Sequence, residues 1–164
     1  MKHLPLLGAT LSLIGSLQAV AATSEETLAL LDAQGRALAN NPCATPISRK
    51  ARLVVNHREP TIRDEVLVVR CSHIESETYH AKSFQPARVL PVSLRVTSAS
   101  TRVSLPLQVG ASTQEVEKTL GKPESREGSA LTYPLSQERP DQDTISFSHA
   151  FGRVTAITWV WSVD

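Results

Sequence analysis

Residues 112–163 constrain the fold more than any other stretch, because a helix too short to stand alone is followed there by strands. Ser112-Thr113-Gln114-Glu115 has the S-x-x-E form of a capping box, in which serine and glutamate satisfy each other's backbone amides. Val116 and Leu120 follow four apart, Gly121 stands where a left-handed C-terminal cap belongs, and Pro123 stops the helix. Two turns gain too few hydrogen bonds to offset nucleation, so this helix must dock on a sheet. The alternation predicts three strands after it, at 129–135, 144–148 and 153–163. The first two are joined by a polar, proline-containing connection. The last two are joined by the tight turn His149-Ala150-Phe151-Gly152, where glycine can supply a positive φ.

The preceding part has a similar order. Thr23-Ser24-Glu25-Glu26 is a second capping box, Leu28, Leu31, Gly35 and Leu38 follow at helical spacing, and Asn40-Asn41-Pro42 ends the helix. Gly35 weakens its middle by about 1 kcal/mol relative to alanine. Strands are predicted at 52–56, 64–71, 72–81 and 92–96. The second is a continuous apolar run, as in a strand buried on both faces. The third and fourth alternate: Ile74, Ser76 and Thr78 against Glu75, Glu77 and Tyr79, then Val92, Leu94 and Val96 against Ser93, Arg95 and Thr97. Residues 103–107 read as an extended connector. Helix, strands, helix, strands in segregated order means α+β with an antiparallel sheet. The order also admits two tandem α-β(3-4) halves: an N-terminal half at 23–105 and a C-terminal half, helix plus three-stranded meander, at 106–164.

Residues 1–21 read as a signal peptide. Lys2 gives the charged start, an apolar segment runs from Leu4 to Leu17, and Ala19-Val20-Ala21 gives the small-x-small cleavage pattern. Pro5, Gly8, Gly15 and Ser16 interrupt the apolar part, and a membrane-spanning helix needs about 20 apolar residues. Cleavage is predicted after Ala21 or Ala22, giving a periplasmic or secreted product with no membrane span. No cysteine near that point could carry a lipid.

Lys2 is the only charge before Ala22, so 16 basic and 16 acidic residues remain in the mature part. Nucleic-acid binding needs a dense positive footprint, and this balance argues against it. Arg49, Lys50, Arg52, Arg58, Arg63 and Arg70 do cluster, interleaved with Glu59, Asp64 and Glu65. They read either as solvated strand edges and loops or as an anionic contact. The chain has two cysteines, Cys43 and Cys71. In an oxidising compartment an even count favours a disulfide, and only one pairing exists within the chain.

Within 107–161, Gly110 and Ser112 precede the helix, Val116 lies in it, and Leu120-Gly121-x-Pro123 ends it. Tyr133, Phe147, Gly152, Val154 and Ile157 mark the strands. This third of the chain resembles the repeat of SmpA/OmlA-type outer-membrane assembly lipoproteins and of β-lactamase-inhibitor-like domains. The resemblance implies a non-enzymatic binding module that holds protein partners on its sheet face and loops. The chain lacks the lipid-bearing cysteine of the assembly lipoproteins. It also has one helix before the meander where those domains usually have two.

No catalytic residue, cofactor or metal is assigned. There is no G-x-S-x-G, no H-E-x-x-H and no phosphate-cradling glycine loop. His57, His73, His80 and His149 lack ligand spacing. Glu75 and Glu77 share a strand face, about 7 Å apart by strand geometry, on a side that reads as solvated. Trp159 and Trp161 share a face of the last strand with Ile157 and Val163, opposite Val154, Ala156, Thr158 and Val160. They read either as core or as interface anchors. The expectation taken forward is a binding role for Trp159, Trp161 and Tyr133 toward a protein partner in the cell envelope, as an enzyme inhibitor or an assembly accessory. The alternatives are a small secreted hydrolase or metal-dependent enzyme built from His57, Asp64, His73 and nearby carboxylates, and a small-ligand carrier with an apolar cavity between the halves.

Overall fold

A computed structural model describes residues 23–56, 58–99, 104–136 and 142–163. The predicted signal peptide, His57 and part of the 103–107 connector lie outside the described residues. The elements are α1 (Ser24–Asn40), β1 (Ser48–Val55), β2 (Arg63–Arg70), β3 (Ile74–Ala81), β4 (Arg88–Val96), α2 (Thr113–Leu120), β5 (Ser125–Glu127), β6 (Ala130–Pro134), β7 (Thr144–Ala150) and β8 (Arg153–Val160). The fold is α+β, as expected. Its strands form one antiparallel sheet in the order β1-β2-β3-β4-β8-β7-β6-β5. The last strand of each four-strand run thus lies beside the last strand of the other.

Four strands follow α2, not the three expected. The extra one, β5, turns through Gly128 (φ +56°) to pair with β6. Its residues Ser-Arg-Glu carry no apolar side chain, so alternation could not reveal it.

Both helix caps form. The Thr23 hydroxyl accepts from the Glu26 amide at 3.2 Å, and the Thr23 amide donates to the Glu26 carboxylate at 2.8 Å. Ser112 accepts from the Glu115 amide at 3.1 Å, without a reciprocal bond to the Glu115 carboxylate of the kind that completes the box at Thr23. The segment before α2 is tied instead to the β7–β8 turn: the Thr113 amide donates to the Gly152 carbonyl, and the Val154 amide to the Ala111 carbonyl, both at 2.9 Å. Gly121 ends α2 with φ +82°.

Both helices bury their apolar residues against the same face of the sheet. Leu31, Leu38 and Ala39 of α1 and Val116 and Leu120 of α2 join one core with Leu94, Val96, Leu131, Ile145, Phe147, Ile157 and Trp159. Two bulges set which strand residues face this core. On β4, Val92 is left unpaired between Pro91 and Ser93, and its carbonyl accepts from the Trp161 amide at 2.9 Å. On β8, Thr155 is skipped, because Ser148 pairs with Ala156 while His149 pairs with Val154. The skip changes the phase of the strand, so Val154 joins the core instead of facing away with Ala156 as strict alternation predicts.

Candidate binding site

Cys43, in the loop after α1, is bonded to Cys71 at the end of β2, with Cα atoms 6.3 Å apart. It pins that loop to the second strand from the sheet edge. No helix among the described residues is long and apolar enough to cross a membrane.

The aromatic residues expected as binding anchors lie in the core. Trp159 is 0% exposed, and Trp161 and Tyr133 are each 2% exposed. Trp159 Nε1 donates to the Leu31 carbonyl of α1 at 3.1 Å. Trp161 Nε1 donates to Asp32 Oδ1 at 2.7 Å, and the Arg36 guanidinium lies 5.3 Å from its ring centroid. Arg36 bridges Asp32 and Asp143, at 3.0 and 2.9 Å. The Tyr133 hydroxyl donates to the Gly121 carbonyl at 3.1 Å, which fastens α2 to β6. The expectation of an open aromatic face on β8 is therefore corrected: α1 covers it, and the indole N–H groups are used within the fold.

What remains uncovered is the opposite face of the sheet. Register places Arg70, Glu75 and Arg95 in one row across β2, β3 and β4, and the row continues as Thr158, Ser146, Thr132 and Ser125 across β8, β7, β6 and β5. None of these residues is buried. The N-terminal part of the face is charged and the C-terminal part carries hydroxyls. Glu75 and Glu77 both lie here, each engaged by arginine: Arg70 to Glu75 at 2.9 Å and Arg52 to Glu77 at 3.2 Å.

At one corner of this face lies a half-open cavity of about 530 Å³. Val54, Val66, Tyr79, Leu90, Val92 and Val163 supply its apolar lining together with Trp161, which otherwise packs under α1, and Phe84, Arg52, Arg58 and Glu59 also border it. The continuous apolar run of β2 is explained here: Leu67 turns toward the helix side, while Val66 lines the cavity on the other. Beside the cavity Asp64 is 0% exposed, on the side of the sheet away from the helices. Its carboxylate accepts from the Tyr79 hydroxyl in a short hydrogen bond, from Asn56 Nδ2 at 2.7 Å and from the Lys82 amide at 2.7 Å. The Tyr79 bond, with help from the Lys82 amide and Asn56, holds the Asp64 carboxyl below its usual range against the opposing effect of burial. The same bond, with burial and the Asp64 charge, pushes Tyr79 up to about 12. Asn56 Oδ1 in turn accepts from the amides of Arg58 and Glu59, both at 2.9 Å, which fixes the turn at the cavity's edge.

The enzyme alternative drew on Asp64 and His73. They lie at opposite ends of β2, with His73 exposed in the β2–β3 turn. His80 is bonded to the Thr78 hydroxyl at 3.0 Å, and His149 lies half-buried on β7. No group of three or more His, Cys, Asp or Glu suited to a metal ion occurs among the described residues.

The sequence reading did not single out Phe151 as a functional residue. It sits at the tip of the β7–β8 hairpin, fully exposed, with φ +51° beside Gly152 at φ +73°. Positive φ at both central positions is the hairpin geometry that favours Asn-Gly, and a bulky aromatic there is an outlier. The tip is braced by the Thr113–Gly152 bond and by Arg153 Nη1, which donates to the Gly110 carbonyl at 2.9 Å. The signal was legible: an aromatic beside glycine, where turn chemistry asks for asparagine or aspartate. The Asp64–Tyr79 pairing had no such signal, being fifteen residues apart.

Compared with known proteins, the chain matches no protein family, no curated protein and no solved structure.

Proposed function

We propose that the mature chain is a binding protein of the cell envelope, periplasmic or secreted, that holds a protein partner and performs no chemistry of its own. Phe151 carries this reading. A non-glycine residue at positive φ costs about 1–3 kcal/mol, and this one gains nothing from burial. Its place is hard to explain by stability and easy to explain by display: a stiff hairpin presents a large apolar ring that loses little entropy on binding. The binding surface expected on the C-terminal meander is thus kept, but its anchor moves from the buried tryptophans to the turn. The export signal, the disulfide and the resemblance of residues 107–161 to assembly and inhibitor domains support the same reading.

The test is site-specific photo-crosslinking in cells that export the protein. A photoreactive phenylalanine analogue at position 151 is expected to yield a reproducible covalent adduct with one protein, while the analogue at Leu30, exposed on α1, does not. Phe151→Ala should abolish co-purification of that same protein. Absence of an adduct at 151, or an equal adduct from Leu30, overturns the reading.

A further inference from the structure

We infer that the 530 Å³ cavity beside Asp64 is a binding site for a small amphipathic anion: an acyl chain or aromatic ring bearing a single carboxylate or sulfonate. This goes beyond the partner surface at Phe151 and does not depend on it.

The apolar half of the argument is the floor. Val54, Val66, Tyr79, Leu90 and Val92 line the cavity on the side of the sheet that neither helix covers. Its volume lies within the roughly 300–1,000 Å³ typical of small-molecule sites. Apolar side chains gathered in a concavity outside the main core remain partly wetted until something fills it, and filling it is favourable.

The anionic half is the mouth. Arg58 borders the cavity and has no ion pair among the described residues. Arg88 lies 4.2 Å from the ring centroid of Phe84, itself part of the lining, and is likewise without an ion pair among the described residues. Arg52 is shared with Glu77 at 3.2 Å in an exposed pair, the kind that contributes little and exchanges partners easily. Glu59 is the other carboxylate at the rim. Two guanidiniums without an ion pair among the described residues thus stand against one such carboxylate, Glu59, and their planar forks suit carboxylate or sulfonate.

The third part is rigidity. A buried carboxylate is costly unless fully bonded, and Asp64 spends its bonds on the residues around this cavity: Tyr79 in the wall, Asn56 beneath the Arg58 turn, and the Lys82 amide next to Ser83 and Phe84. The network holds two hairpins in fixed relation, so the site is shaped before a ligand arrives, and less ordering entropy opposes binding.

The experiment titrates the processed, disulfide-bonded protein with dodecanoate, dodecanol and dodecylammonium below their micellar concentrations. Binding is followed by backbone amide NMR shifts. Dodecanoate is expected to bind saturably, with the largest shifts at Val54, Val66, Tyr79 and Leu90, and to bind more tightly than the other two. The double variant Arg58→Glu/Arg88→Glu, both positions exposed, should lose about tenfold or more in dodecanoate affinity with an unchanged denaturation midpoint. Val66→Glu should abolish binding if it folds. Phe84→Ala, at an exposed position, should weaken it in any case. Equal affinity for the three amphiphiles, shifts centred elsewhere, or no saturable binding overturns the proposal.

Discussion

Gly35 lies against the ring of Trp159: a Cβ added to Gly35 would stand 2.7 Å from Trp159 Nε1 and 2.9 Å from Cδ1. By propensity alone, alanine should improve the helix by about 1 kcal/mol. The contact reverses that sign, because Trp159 is fully buried and its N–H is bonded to α1 one turn earlier. Gly35→Ala is expected to destabilise by about 1–3 kcal/mol, the range for overpacking a core. Urea denaturation checks this. In a Trp159→Leu background the same change should be harmless or mildly stabilising.

Trp161→Ala should destabilise the fold by about 3–5 kcal/mol, as for other large-to-small core changes. Besides the ring, the change removes the indole N–H that Asp32 accepts, leaving Asp32 to Arg36 alone, and removes the surface under Arg36. The measurement is the denaturation midpoint. A variant as stable as the parent would return Trp161 to the surface.

Phe151→Asn should leave stability unchanged or raise it by a few tenths to about 1 kcal/mol, since asparagine tolerates positive φ far better. Paired with the crosslinking result, this separates display from architecture. Loss of stability in Phe151→Asn would mean that the ring has a structural role.

The Asp64 carboxyl is held below its unfolded value, so its contribution is present above about pH 4 and is lost as pH falls through the lowered value. Acid should therefore destabilise the parent protein more steeply than Asp64→Asn. The check is the denaturation midpoint measured from neutral pH downward in both proteins. Parallel curves would remove Asp64 from the acid response.

At high pH the sign is opposite. The chain has two tyrosines, Tyr79 and Tyr133, and both are pushed up to about 12; for Tyr133 burial is the first cause and the Glu117 charge the second. Their contribution is complete below about pH 10, the unfolded value, and is lost as pH rises toward about 12. Tyrosinate absorbance of the native protein should lag that of the urea-unfolded chain across this interval.

Much of the fold is legible in short-range chemistry. Thr23, Ser112 and Gly121 mark helix ends, and β-branched alternation marks β3 and β4. The pairing of Cys43 with Cys71 follows from there being no other partner. The failures have a common physical cause in contacts between distant segments. A period of two separates the faces of β8 but does not say which one α1 will cover, so Trp159 and Trp161 read equally well as core or anchor. Strict alternation also misses the skip at Thr155, which returns Val154 to the core. The Asp64 network joins β2 to the ends of β1 and β3, so its parts look like unrelated polar residues until the sheet forms.

The seat of α1 on Trp159 also orders events in time. α1 packs on β3, β4 and α2, and it is closed by an indole that arrives 128 residues after Leu31, on the last strand. Until that strand has been synthesised, Leu31 has no indole to cover it and the two four-strand runs have no seam to join. A chain with this arrangement stays incomplete through most of its translation. Delayed closure of this kind leaves the leading half of the sheet without its seam until the last strand arrives.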